Sequence, residues 1–305
     1  MVGASPLLEV AMARASWWSL APKRGWPVVL ATTLALTACG QAQPPAAAAL
    51  PATTAEAVAT PAREPPHVDD KAADEGEPVG LPGGWVRDYL VTQYGELAQL
   101  VGTWPGHPVA AGLGEDAAER EVCARAAIGT ADTPAELVAV CGVPDGAGHV
   151  TGALVDLFLL EAGDGLAVAG ARQHLTDYGS SGDVTDVRVQ RFGAALYGVM
   201  IEDGFTGQGI TVGARSLLLP HAGGFREAAT VRSSLEHAQA PDDALDLAFD
   251  LTVDDRDRRA PAWPLVIREH GEACGRYVDR EYRLAFDPAT GTWPIPAALQ
   301  RDSCD

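Results

Sequence analysis

From Trp85 onward, the apolar residues Val86, Leu90, Tyr94, Leu97 and Val101 recur at helical spacing. That places them on one face of an amphipathic helix, with Gly102 as its stop. A second helix is expected over Glu115 to Ile128, with acids in its first turn and Gly129 behind it. Thr133-Pro134-Ala135-Glu136 matches a capping box with proline at the first helical position. It predicts a third, short helix ending near Cys141-Gly142.

Beyond residue 150 the period changes to two. Leu245, Leu247, Phe249, Leu251 and Val253 alternate with Asp246, Ala248, Asp250, Thr252 and Asp254, as in a half-buried antiparallel strand. Tyr282, Leu284 and Phe286 alternate in the same way and run into an Asp287-to-Gly291 turn. Further strands are expected over Ala153–Leu160, Leu166–His174, Val184–Phe192, Ala195–Glu202, Ile210–Leu219, Ala228–Leu235 and Leu265–Glu269. Helices over 83–142 followed by about eight or nine strands over 150–297 predict an α+β fold. Two or three N-terminal helices would precede a curled antiparallel sheet or a two-sheet sandwich, in a single domain over 81–305. No βαβ alternation and no internal repeat is present.

The stretch before residue 81 has a different character. Arg14, Lys23 and Arg24 precede a charge-free run from Trp26 to Ala38. That run falls short of the roughly 20 residues a bilayer-spanning helix needs, so residues 1–38 read as a signal peptide; Met12 is an alternative start. Leu36-Thr37-Ala38-Cys39-Gly40 resembles the lipobox of bacterial lipoproteins. The resemblance implies cleavage before Cys39 and acylation of its sulfur and new amino terminus, with palmitate among the acyl groups. It also implies a lipid-anchored place in the cell envelope; Gly40 would favour the periplasmic side of the outer membrane in a Gram-negative host. Residues 41–80 hold seven prolines, no Phe, Tyr or Trp, and only Leu50, Val58, Val68 and Val79 as larger aliphatics. Such a segment buries too little apolar surface to offset its ordering entropy and is expected to act as a tether from the lipidated Cys39 to the domain. A flexible chain of that length spans roughly 35 Å.

Composition narrows the partners. The 22 Lys+Arg against 41 Asp+Glu give a net charge of −19. That argues against sequence-independent nucleic-acid binding, which needs a basic footprint. Apart from Cys39 there are four cysteines, which in an oxidising compartment permit three pairings. Cys123 and Cys141 would stand at similar heights in an antiparallel hairpin of the second and third helices, given a rise of about 1.5 Å per residue. The favoured pairing is therefore Cys123 with Cys141 and Cys274 with Cys304. No C-x-x-C spacing points to a metal.

No catalytic constellation is coherent. His174, Asp177, Ser180 and Ser181 put a base, an acid and hydroxyls close together, the residue types of a serine hydrolase. Yet Gly179-Ser180-Ser181-Gly182 is not a nucleophile elbow and is what a turn demands. The glycine-rich 204–209 segment lacks the P-loop lysine and reads as a hairpin loop, with ligand contact a weaker possibility. The acidic series from Asp242 to Asp257 spreads its charge instead of focusing it, as a solvated face would; weak cation binding comes second. In His270-Gly271-Glu272-Ala273-Cys274 the thiol is expected in a disulfide. Trp104-Pro105, Trp263-Pro264 and Trp293-Pro294 are expected to seal sheet ends, with sugar stacking as the alternative.

The expectation is a lipid-anchored envelope protein that binds or has a structural role without catalysis and without a cofactor. Its partners would be the membrane, through the anchor, and an envelope protein or glycan. The alternatives are an envelope serine hydrolase and a cation-stabilised binding module.

Overall fold

A computed structural model describes residues 77–106, 117–184, 186–237 and 244–304. Residues 1–38, expected to be a signal peptide, Cys39 and the stretch up to residue 76 lie outside the described residues, as do Asp242 and Asp243.

The one α-helix described, α1 (Trp85–Tyr94), is followed by twelve strands. Strands β1 (Trp104–Pro105), β2 (Ala117–Ala127), β3 (Ala135–Pro144), β4 (Leu154–Ala162) and β5 (Leu166–Leu175) form one antiparallel sheet. The second sheet holds β6 (Asp186–Arg191), β7 (Tyr197–Gly207), β8 (Ile210–His221), β9 (Gly224–His237), β10 (Leu245–Val253), β11 (Leu265–Ala273) and β12 (Arg276–Leu284). Each sheet is a meander in which every strand pairs with its sequence neighbours.

The architecture is therefore two packed antiparallel sheets, and the α+β expectation of N-terminal helices before the sheet is overturned. The segments read as the second and third helices are β2 and β3. The cause lies in β3, Ala-Glu-Leu-Val-Ala-Val-Cys-Gly-Val-Pro, in which all but one residue is buried. Leu137, Ala139 and Cys141 join Val155 and Leu157 of β4 against Val187, Val199, Ile201 and Leu218 of the second sheet. Val138 and Val140, with Phe158 and Leu160, pack on the other side against Val86, Leu90 and Tyr94 of α1. A strand covered on both faces shows no alternation, because both sets of positions are apolar. Two-sided burial outweighs the capping-box signal at Thr133, since local propensity is the weaker term.

The first helix is also shorter than its periodicity suggests. It stops at Tyr94, where Gly95 takes φ 89° and its amide donates to Val91 O. The left-handed conformation suits glycine and ends the helix. Leu97 and Val101, placed on the helical stripe by spacing alone, are exposed.

Ordered contacts begin inside the stretch assigned to the tether. Val79 bridges Gly129, and buried Leu81 donates its amide to Glu136 Oε1 at 2.9 Å.

The opposite face of the seven-stranded sheet gathers Met200, Leu217, Leu247, Phe249, Leu265 and Ile267 around Trp293 and Leu299 of the C-terminal segment. That segment crosses the strands. Trp293 N donates to Ala228 O at 2.9 Å, Arg232 of β9 donates to Arg301 O, and Arg301 pairs with buried Glu269 of β11. Trp104, Trp263 and Trp293 are all buried, so the three Trp-Pro pairs seal the core and are not sugar-stacking platforms.

Both disulfides pair as the sequence suggests, Cys123 with Cys141 at a Cα separation of 5.6 Å and Cys274 with Cys304 at 5.7 Å. The scaffold of the first is a β-hairpin and not a helical one. Val122 pairs with Val140 and Ala124 with Ala139, so Cys123 is the extra residue of a β-bulge. The bulge turns its side chain toward the inter-sheet core beside Cys141.

Candidate functional site

Two polar centres stand out. The first is closed. Asp156 of β4 is 1% exposed and accepts from Tyr94 Oη at 2.6 Å, from Arg120 Nη1 at 2.9 Å and from His174 N at 2.7 Å. Arg120, equally buried, lies with its guanidinium carbon 4.9 Å from the centre of the Tyr94 ring. Burial, then the Asp156 carboxylate, pushes the Tyr94 hydroxyl far above its ordinary value. Arg120 Nε, Arg120 Nη2 and Trp104 Nε1 have no hydrogen-bond partner among the described residues. The cluster ties α1 and β2 to β4.

The second centre is an open cleft of about 330 Å³ where two connections and three strands meet. The 144–153 connection brings His149, and the 176–185 connection brings Ser180. Strand β7 supplies Glu202 to Thr206, β8 supplies Thr211 to Gly213, and β9 supplies Ser233 and Ser234. The floor is bare backbone, because Gly204 pairs directly with Gly213. A Cβ on Gly213 would lie 2.3 Å from Ser233 Oγ and 2.8 Å from Ser234 Oγ, so both hydroxyls lean over this glycine. A β-bulge sets them there: Gly213 pairs with Ser234 and Ala214 with Arg232, leaving Ser233 as the extra residue.

The rim is aromatic and partly apolar. Phe205 is 44% exposed and its ring centre lies 5.6 Å from that of His149. His149 Nε2 is held 2.8 Å from Thr206 O, which fixes the ring against the hairpin. The two carboxylates differ. Glu202 pairs with Arg215 at 3.1 Å. Asp203 accepts a 2.9 Å bond from Gly179 N and has no cationic partner among the described residues. Its burial, with the nearby Glu227 and Glu202 charges adding to it, raises its carboxyl pKa above the ordinary value even though the Gly179 amide works against the shift.

The residues singled out as hydrolase candidates do not assemble. His174 is bound through its backbone to Asp156, Asp177 is exposed, and Ser181 is an exposed turn residue at φ 56°. Ser180 and Asp183 exchange backbone bonds of 3.0 and 3.1 Å, closing a two-residue hairpin turn through Ser181 and Gly182. No hydrogen bond joins His174 to Asp177, Ser180 or Ser181 among the described residues. Only Ser180 reaches the cleft. There His149 is the nearest candidate base, yet its Nε2 bonds a carbonyl and no described hydrogen bond links the ring to a serine hydroxyl. Without that link the hydroxyl lacks an activating base.

Other sequence candidates are dispersed. The glycine-rich segment is the β7–β8 hairpin, turning at Gln208-Gly209. Cys274 is in a disulfide, and His270 pairs with Asp250 at 3.0 Å on an exposed face. Asp254 is committed to Arg256 and Arg283. Hydrogen bonds from those two guanidinium groups hold its carboxyl below the usual carboxylate range. Among the described residues no group of three or more His, Cys, Asp or Glu could hold a metal ion.

Sequence reasoning missed His149, Asp203, Ser233 and Ser234 as members of one site. They come from segments far apart in the chain, and the bulge that turns both serines inward leaves no trace in spacing. No family model, no curated protein and no solved structure matches the chain.

Proposed function

We propose that the protein is a lipid-anchored envelope module that binds a ligand in the cleft lined by Ser180, Asp203, Phe205 and the Ser233–Ser234 bulge, without covalent catalysis. The observation that carries the reading is the cleft itself. Serine hydroxyls without a hydrogen-bond partner among the described residues gather there over a bare-backbone floor, with Asp203 and Phe205 at its margin. Its volume lies at the low end of small-molecule pockets, which run from about 300 to 1,000 Å³.

Export is supported from two directions. The Leu36-Thr37-Ala38-Cys39 signal resembles a lipobox, and the four remaining cysteines close into two disulfides, as oxidising compartments favour. A tether of about forty residues would then hold the cleft away from the bilayer. No helix among the described residues is long and apolar enough to cross a membrane.

One pair of measurements tests the reading. The wild-type chain should sediment with membranes and partition into detergent, and Cys39→Ala should abolish that partition. A fluorophosphonate probe should leave the protein unlabelled. Labelling that disappears in Ser180→Ala or Ser181→Ala would replace the binding reading with a hydrolase.

A further inference from the structure

We infer that a second opening, between the two sheets beside the β2–β3 and β6–β7 connections, binds a small organic cation, an ammonium group carried on an apolar body. The opening shares no residue with the serine-lined cleft, so the inference goes beyond the reading of that cleft and does not rest on it.

The opening holds about 370 Å³, within the range of small-molecule pockets. Its side chains come from facing sides of the two sheets. Leu159 pairs with Leu137 and Glu161 with Ala135, so both project from the side of β4 that Leu137 shares toward the second sheet. Across the gap, Tyr197 stands two residues before Val199 and Pro220 two after Leu218, and Val199 and Leu218 belong to the same inter-sheet core as Leu137. Ile128, Leu159 and Tyr197 form the partly buried margin of that core. The sheets close tightly over Leu137, Val199 and Leu218 and part at this end. The parting leaves Ile128, Leu159, Leu196, Tyr197 and Pro220 half-buried around one space. An apolar body seated there removes their remaining surface from water, which is favourable in proportion to the area covered.

The charge of the ligand follows from Glu161. It is the one charged side chain of the described lining, it is half-buried, and it makes no ion pair and no side-chain hydrogen bond with a described residue. A carboxylate in an apolar wall has lost part of its hydration without gaining a partner, and an ammonium group supplies both the countercharge and the hydrogen-bond donors. The other polar groups nearby are engaged. Thr130 Oγ1 accepts from Thr133 N at 3.2 Å across the β2–β3 turn. Arg191, whose guanidinium carbon lies 5.7 Å from the centre of the Tyr197 ring, donates to Gly193 O and Ala194 O and is not part of the lining.

Isothermal titration of the full chain with three probes of one shape tests the assignment: 2-phenylethylamine, 2-phenylethanol and 3-phenylpropionate. The amine should bind about tenfold tighter than the alcohol, equivalent to roughly 1.4 kcal/mol, and the carboxylate most weakly. Glu161→Gln should bring the amine to the affinity of the alcohol and leave the alcohol unchanged. Ala195→Trp, at an exposed position on the rim, should weaken the amine and the alcohol alike by filling the mouth. Both variants should melt with the wild type, since neither residue has a described side-chain partner. Equal binding of the three probes, or tightest binding of the carboxylate, overturns the inference. So does amine binding that survives both substitutions; if Ser234→Ala then abolishes it, the ligand sits in the serine-lined cleft and that reading stands. Failure of all three probes to bind overturns the inference and leaves the cleft untouched.

Discussion

Asp203 and Asp156 show how differently two carboxylates can be kept in one fold. Asp156 is surrounded by donors and closed off by α1. Removing it strands the Arg120 charge, and breaking a buried pair from one side costs about 3–5 kcal/mol. Asp156→Ala should lose that much in urea unfolding; a loss below about 1 kcal/mol would show that water reaches Arg120. Asp203 is the opposite case. Its folded pKa is raised, so its neutral form favours folding below the ordinary carboxylate pKa, and that contribution is lost as pH rises through the raised value. Asp203→Asn keeps the acceptor for Gly179 N and removes the charge near Glu202 and Glu227. The variant should melt higher than wild type at pH 7, with the gap closing toward about pH 4. An equal gap at both pH values would contradict this assignment.

At the scale of elements, the legible and illegible parts of the sequence separate on physical grounds. Strand β10 was plain, since one face is buried and the other carries Asp246 and Asp250. Its limits Leu245 and Val253 match the alternation in full. Strands β2 and β3 were hidden, because two-sided burial removes alternation from β3 and a run of Ala, Glu and Arg in β2 favours helix by intrinsic propensity. The Cys123–Cys141 pairing is legible although the scaffold is a β-hairpin and not a helical one, because hairpins of either kind bring such positions together. That disulfide closes a separation of 18 residues. Replacing both cysteines with alanine should cost about 3 kcal/mol in chemical denaturation under oxidising conditions. The candidate site was the least visible feature. Gly204, Gly213 and Ser233 read as hairpin residues along the chain, and only the pairing register shows them facing one opening.

For the whole molecule, the layers run from α1 through the five-stranded sheet and the seven-stranded sheet to the C-terminal segment, with apolar contacts at each junction. The entry to this assembly is at Val79 to Leu81. Deleting residues 39–76 should leave the melting temperature unchanged. Deleting 39–81 should lower stability by roughly 1.5–3 kcal/mol, the burial worth of one Leu side chain. Equal stability for the two deletions would show that the Glu136 contact with Leu81 carries no weight. The net charge of −19 disfavours direct docking on anionic lipid, so the proposed membrane residence would depend on the amino terminus. Mass spectrometry of the N-terminal peptide from membrane-extracted protein tests that dependence directly. The expected result is a chain beginning at Cys39 and bearing a diacylglyceryl group. An intact chain carrying residues 1–38 and an unmodified Cys39 thiol would contradict the account.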